Sequence, residues 1–323
     1  MKNKIFPYVD FSSNANGGTE IQRDFLLKYV DNSILEKFEI ILSYPSIDFM
    51  KGDKPVILWL HDLPEKYFDV LYNKQYQNQF DFFVFVSYWQ RGEFIRKYNL
   101  TSSKCFVIQN AIEPLSGYNL TRKWNDIEKI KICYTSLPHK GLRLAFEVYN
   151  EIYNTFGEQV EFNVFSNYKT YGDAHLSRNE PYKALYNKLI GHEGVNYTES
   201  LPHEELLTEL KQQHIWFHPS TFPETSCISL MEAASAKCIL VHSDLGALPE
   251  TSSNFGEMFK ADSDINIYAG YAYNALASYI DTIKKHREEV TGYLDMQKGY
   301  FDFHFSWILR KAEWEGFLKH IIT

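Results

Sequence analysis

The sequence predicts an α/β protein built from two doubly wound, Rossmann-like domains, and three observations predict it. Short buried apolar runs alternate with amphipathic helical stretches along almost the whole chain, the pattern of parallel sheets covered by helices. The 323 residues suffice for two domains of ordinary size. Between them lies a polar segment rich in Pro and Gly, EPLSGYNLTRKWND at 113–126, with the character of an interdomain link.

Taken in order, Ile5 to Val9 reads as a first strand. The polar loop SSNANGGTE follows, then a helix carrying Ile21, Phe25, Leu26 and Tyr29 on one face. Gly17 and Gly18 stand at the junction, where adjacent glycines allow positive φ and let a backbone come close to a ligand. FEIILS, VILWL, FFVFV and KCFVIQN are four further short strands. VILWL runs into His61 and Asp62, at a strand's carboxyl end. A helix from about Ser87 to Tyr98 sets Arg91, Arg96 and Lys97 near Trp89 and Phe94, a candidate face for peripheral contact with a membrane.

Beyond the link, IKICYTS opens a second strand series. LPHKGLRLAFEVYNEI is a loop and an amphipathic helix with Leu142, Leu144, Ala145, Val148 and Ile152. Lys140 at that helix start opposes the helix dipole, a placement that a bound anion would relieve. VEFNVFS is the next strand, and residues 167–190 form a polar, Tyr-rich insertion to which no structure is assigned. VNYTESLPHEELLTELKQQ gives a short strand, a Pro-led turn and a helix with Leu206, Leu207 and Leu210. A helical stretch around Tyr268 to Lys285 precedes FSWILRKAEWEGFLKHII, a strongly apolar last helix.

Residues 214–250, HIWFHPSTFPETSCISLMEAASAKCILVHSDLGALPE, organise the rest. Ile215–Phe217 is a buried strand stopped at Pro219, a helix begins near Ser226, and Ile239–Val241 is a second buried strand. The unit is therefore a βαβ crossover in a parallel sheet, whose ligands sit at the strands' carboxyl ends. Glu224 precedes the helix and Glu232 lies about two turns in, ~12 Å along the axis at the helical rise. Between them the first-turn amides of Ser226, Cys227 and Ile228, with the positive end of the helix dipole, make an anion site. One carboxylate would accept hydrogen bonds from sugar hydroxyls and the other from a ribose, with phosphates held on backbone between them.

PETSCISLMEA resembles the signature of the retaining GT-B glycosyltransferases, family 4, two glutamates separated by seven residues. Many members carry Phe-Gly where this chain has Ser226 and Cys227. The Gly17–Gly18 loop, His61–Asp62, Lys140–Gly141 and GALPE (Gly246, Glu250) also resemble family steps. Gln109 and Ala111 replace the family's Pro and Gly at the linker entry, and Leu137 stands near the place of a common arginine, which puts more of the charge on Lys140.

The resemblance implies a GT-B fold with two domains facing a central cleft: an acceptor-side domain over 1–120, a donor domain over 126–300, and a last helix, 304–323, packing back on the first. It implies transfer of a sugar, a hexose in the first instance, from a UDP-, GDP- or ADP-sugar to a glycan or lipid-linked acceptor, with retention, no metal and no cofactor. Glu224, Lys140 and His61 are the implied catalytic residues. Gly17, Gly18, Lys140, Glu224, Thr225, Ser226, Cys227, Ile228 and Glu232 would hold the donor, and His61 and Asp62 would face the acceptor.

Composition narrows the classes. A net charge of −8 argues against general nucleic-acid binding, which draws its affinity from a basic surface. Four scattered cysteines, Cys105, Cys133, Cys227 and Cys238, read as buried thiols in a reducing compartment. MKNKIFPYVDF lacks the apolar core of a signal peptide, so a cytoplasmic location is expected. Two alternatives remain: a metal-dependent GT-A-type transferase, for which Asp262 and Asp264 have the spacing, and a non-catalytic nucleotide-sugar binder.

Overall fold

The protein is described by a computed structural model covering residues 5–6, 17–125 and 127–321, with backbone alone at 5–6. The expected strand residues Pro7–Val9 lie outside the described residues. The chain divides into two compact units, residues 1–111 with 305–323, and residues 112–304.

In the first unit five parallel strands follow one another in chain order: β1 (Ile5–Phe6), β2 (Glu39–Leu42), β3 (Val56–Leu60), β4 (Phe82–Phe85) and β5 (Cys105–Val107). Both faces of this sheet are apolar, so period-two alternation splits each strand between two cores. Ile57 and Trp59 join Leu26, Leu42 and Val84 on one side, where Trp307, Trp314 and Leu318 of the Trp307–His320 helix complete the cluster. Val56, Leu58 and Leu60 join Phe68, Phe85 and Phe94 on the other. The last helix is thus part of the first unit's core, and Trp59 meets Trp314 edge to face at 5.0 Å.

The second unit carries six parallel strands in the order β11-β10-β9-β6-β7-β8: β6 (Ile130–Tyr134), β7 (Val160–Phe165), β8 (Val195–Thr198), β9 (Ile215–His218), β10 (Ile239–Ser243) and β11 (Glu257–Phe259). Here the chain winds outward through β7 and β8, then returns to the other side of β6, where Ile132 pairs with Ile215 and Cys133 with Trp216. That reversal is a topological switch point, the place where open α/β sheets bind ligands at their carboxyl ends. The two units therefore differ in winding: the described strands of the first show no such reversal.

Helices Leu142–Phe156 and Ile265–Lys285 cover one face of the second sheet with Val148, Tyr149, Ile152, Tyr268, Leu276 and Ile280. The Ile228–Ser235 helix lies on the other, backed by the Arg287–His304 helix, whose Gln297 donates to the Cys238 carbonyl at 2.9 Å. Residues 112–125 are built into this unit. Leu120 and Trp124 are buried, and Leu115 N–H donates to Ser235 Oγ at 2.8 Å.

All four cysteines are buried and free. Among the described residues no helix is long and apolar enough to cross a membrane. The cations of the Tyr88–Tyr98 helix are engaged locally: Arg91 donates to the Cys105 carbonyl, Arg96 pairs with Glu93, and Lys97 with Asp69.

The Trp314→Ala variant removes a fully buried indole and is expected to cost about 3–5 kcal/mol, the usual range for such a truncation. The urea transition of the first unit, followed by near-UV circular dichroism, measures it.

Candidate active site at the switch point

The carboxyl ends of β6 and β9 bring Lys140 and Glu224 together. Lys140 closes a 3-10 turn, Pro138–Lys140, and Gly141 follows at φ +123. A Cβ on Gly141 would lie 2.2 Å from the Pro219 carbonyl oxygen, so only glycine lets the β6 loop press on the β9 loop. Thr221 N–H donates to the Lys140 carbonyl at 3.3 Å, and Tyr268 donates its hydroxyl to the Ser220 carbonyl.

Glu224 is 4% exposed. Lys140 Nζ donates to its Oε2 at 2.7 Å, and His218 Nε2 to its Oε1 at 3.2 Å. Burial pushes the Glu224 carboxyl up, but the Lys140 ammonium and the His218 hydrogen bond outweigh it and hold the group at about 2. Burial likewise opposes the charge on Lys140, and Glu224 overturns it, so its ammonium is held well above the usual range. The Glu224 main chain is fixed as well: its carbonyl accepts from Ala247 N–H at 2.7 Å and it bridges to Gly246. Gly246 has φ +66, and a Cβ there would fall 2.4 Å from the Glu224 oxygen.

Thr225 and Ser226 lead from Glu224 into the Ile228–Ser235 helix, for which Cys227 is the N-cap. The helix thus starts two residues later than the sequence pattern implies. Its first-turn amides face the helix's N-terminal end, as in any helix. Cys227 carries no side-chain cap; its thiol, pushed up to about 12 by burial, sits 3.4 Å from Ser229 Oγ.

Glu232 is buried, and His203 Nε2 donates to its Oε1 at 2.5 Å. Burial pulls the His203 pKa down, but Glu232 reverses this and leaves it raised above 6.5.

The remaining expected site residues lie in the first unit. Gly17 is the N-cap of the Gly18–Tyr29 helix with φ −76, and Gly18 is helical, so neither uses the positive φ expected of them. Their value is the close start of a helix whose Glu20 is 4% exposed and raised by burial. His61 stacks edge to face on Trp59 at 4.6 Å, and burial holds its pKa at about 3. Near neutral pH it is therefore uncharged. The Asp62 carbonyl accepts from Gln90 Nε2 at 2.8 Å.

Sequence reasoning missed His218 and His203 as site residues. His218 stands at the end of the Ile215–His218 strand, as His61 stands just past β3, so the same signal was available. His203 offers only a Pro-led helix start.

His218, Glu224 and Cys227 place donor atoms within 4.8 Å of one another, a spacing a divalent ion can span. The Lys140 ammonium on the same carboxylate opposes a second cation there. Asp262 and Asp264 are committed elsewhere: Asp264 caps the Ile265–Lys285 helix by accepting from Asn266 N–H, and Asp262 accepts from Asp264 N–H.

An open parallel sheet with a buried carboxylate, a lysine and a helix N-terminus at its switch point is the arrangement at which α/β proteins receive anionic ligands. Residues 126–290, within the second unit, match the family described as glycosyl transferases group 1, and the chain belongs to that family. It is a glycosyltransferase of the GT-B fold.

Among solved structures it resembles HepE of Anabaena in complex with UDP and glucose, with TM-score 0.68 and 14% identity over 91% of this chain and 81% of that one. A glycosyltransferase from Rickettsia africae gives TM-score 0.65 and 15% identity, covering 100% of this chain and 84% of the other. Sucrose-phosphate synthase of Thermosynechococcus elongatus gives 0.60 and 12%, covering 84% and 69%. No curated protein sequence matches the chain.

Two pH dependences follow. Because the folded Glu224 pKa lies below its ordinary 4.5, its contribution to stability is present above that value and lost as pH falls toward about 2. The stability gap between wild type and Glu224→Gln should therefore shrink across that window in urea titrations. For His203 the sign is opposite: its raised pKa gives a contribution present below 6.5 and lost as pH rises through the folded value. His203→Ala should then cost more stability at pH 6 than at pH 9, read by thermal melting.

Proposed function

We propose that the protein transfers a hexose from a nucleotide sugar to a hydroxyl of a glycan or lipid-linked acceptor, retaining the anomeric configuration and using no metal ion. The observation that carries this reading is the meeting of Lys140, Glu224 and the start of the Ile228–Ser235 helix at the β6/β9 switch point. HepE, similar in fold, is known in complex with UDP-glucose, so UDP sugars are the first donors to test, before GDP and ADP sugars.

Hydrogen-bonding capacity fits a saccharide. A carboxylate offers about four acceptor sites, and Lys140 and His218 use two of those on Glu224. Sugar hydroxyls can donate to the remainder. Lys140 spends one of its three N–H groups on Glu224 and keeps the others for a phosphate oxygen. The first-turn amides would receive the diphosphate, and Glu232 the ribose.

In the reaction the bond from the anomeric carbon to the phosphate oxygen breaks, and a bond to the acceptor oxygen forms on the same face. The acceptor's proton passes to the departing diphosphate. Charge accumulates on that diphosphate, and preorganised donors lower the barrier by meeting it there. His61, neutral across the working range, would hold a hydroxyl by a hydrogen bond.

Titration of UDP, GDP and ADP sugars by calorimetry should find one donor that binds. Product NMR should show the donor's anomeric configuration kept, and excess EDTA should leave the rate unchanged. Glu224→Ala should lower kcat by roughly 100-fold or more, the scale of losing a key charge-positioning group. Inversion, EDTA sensitivity, or full activity of Glu224→Ala would each overturn the part of the reading it tests.

A further inference from the structure

The Tyr-rich insertion at 167–190 has a defined structure at the edge of this site. Two 3-10 turns, Tyr168–Tyr171 and Asp173–Tyr182, lead into the Lys183–Ile190 helix. Asn179 knots them: its Oδ1 accepts from Tyr168 N–H at 3.1 Å and from the Tyr186 hydroxyl at 2.9 Å, and its amide donates to Asn167 at 2.9 Å. Tyr168 in turn fastens the segment to the β6 loop. Its ring stacks on His139 at 5.7 Å, and its hydroxyl is 2.7 Å from His139 Nδ1. His139 is the residue before Lys140.

Arg178 is next to the Asn179 knot. It is exposed and makes no ion pair among the described residues, whereas Glu180 is taken by Lys183 at 2.7 Å and Lys169 by Glu199 at 3.4 Å. Its charge is felt at the site, since it joins burial and Lys140 in holding His139 at about 4. Two cations of the site are already matched, Lys140 by Glu224 and His203 by Glu232. A diphosphate bringing more than one negative charge would find in Arg178 an exposed cation that no carboxylate engages among the described residues.

We propose that Arg178, carried by the insertion, is a donor-binding residue that neutralises the diphosphate of the nucleotide sugar beside Lys140. The inference rests on the donor reading above and assigns a role to the 167–190 segment. A guanidinium suits phosphate because its donors form a planar fork. An exposed position lets it swing onto the ligand without a desolvation cost in the free protein.

The test titrates UDP, UMP and uridine into wild type, Arg178→Ala, Arg178→Lys and Lys140→Ala, with GDP and ADP in place of UDP if that nucleotide does not bind wild type. Circular dichroism and melting temperature should match for the Arg178 variants, whose side chain is exposed. Expected is a loss of diphosphate affinity of about tenfold in Arg178→Ala, as for a lost charge-assisted hydrogen bond. Partial recovery in Arg178→Lys and an unchanged affinity for uridine are expected with it. Diphosphate affinity equal to wild type in Arg178→Ala, with Lys140→Ala weakened, overturns the role of Arg178 and leaves the donor reading standing. An equal loss for uridine also overturns it, because the contact would then be to the nucleoside. If none of the three diphosphates binds wild type, the donor reading falls and Arg178 with it.

Discussion

The pair formed by Lys140 and Glu224 is the constraint on which the site depends. The two residues are 84 positions apart and meet only because β9 returns beside β6. Burying both charges costs several kcal/mol per ion, and such a pair persists only when geometry and further hydrogen bonds offset that cost. The second condition is met by His218 on the free carboxylate oxygen. The first is met by glycine at two places where a side chain would collide, Gly141 against Pro219 and Gly246 against Glu224. The sheet reversal, the two glycines and the histidine are parts of one solution to holding a charged carboxylate at a strand end.

That solution leaves Glu224 ionised across the physiological range and fixed before any ligand arrives. A carboxylate so placed is a hydrogen-bond acceptor rather than a proton donor or a general base. Its depressed pKa makes it a poor proton acceptor. The chemistry must then lie in orienting hydroxyls and in meeting charge as it develops. Glu232 follows the same design one level weaker: a single histidine holds it, and the carboxylate in turn raises that histidine's pKa against the effect of burial.

Much of this was legible in the sequence, for reasons particular residues show. VILWL reads as a strand and is β3, since five consecutive apolar residues can only be buried on both faces. Lys140 and Glu224 were legible through their places in motifs, yet nothing in residue spacing says that they touch. Contact across 84 residues is a product of strand order, and strand order is not written locally. The insertion at 167–190 was opaque because its order comes from side-chain knots, Asn179 to Tyr168 and Tyr168 to His139, rather than from periodicity. The Arg287–His304 helix went unassigned, and β11 with it; β11 is only three residues long, two of them exposed. The burial of Glu232 was opaque too, because helical spacing registers polarity but not a partner reaching in from the His203–Leu210 helix.

Histidine placement separates two kinds of work in the chain. His61, His139, His214 and His242 are pushed below 6.5 by burial, to about 3 or 4, and act as neutral wedges that pack on aromatic rings or bond to backbone. His203 alone among the shifted histidines moves the other way, because a carboxylate faces it. Charge at the candidate site is therefore carried by lysine, glutamate and backbone amides, while the neutral imidazoles set shape. A ligand recognised there must complement fixed charges and cannot rely on recruiting a proton from His139 near neutrality. Transfer in which the departing diphosphate takes up the acceptor's proton meets that requirement, and a reaction needing that imidazole as a base does not.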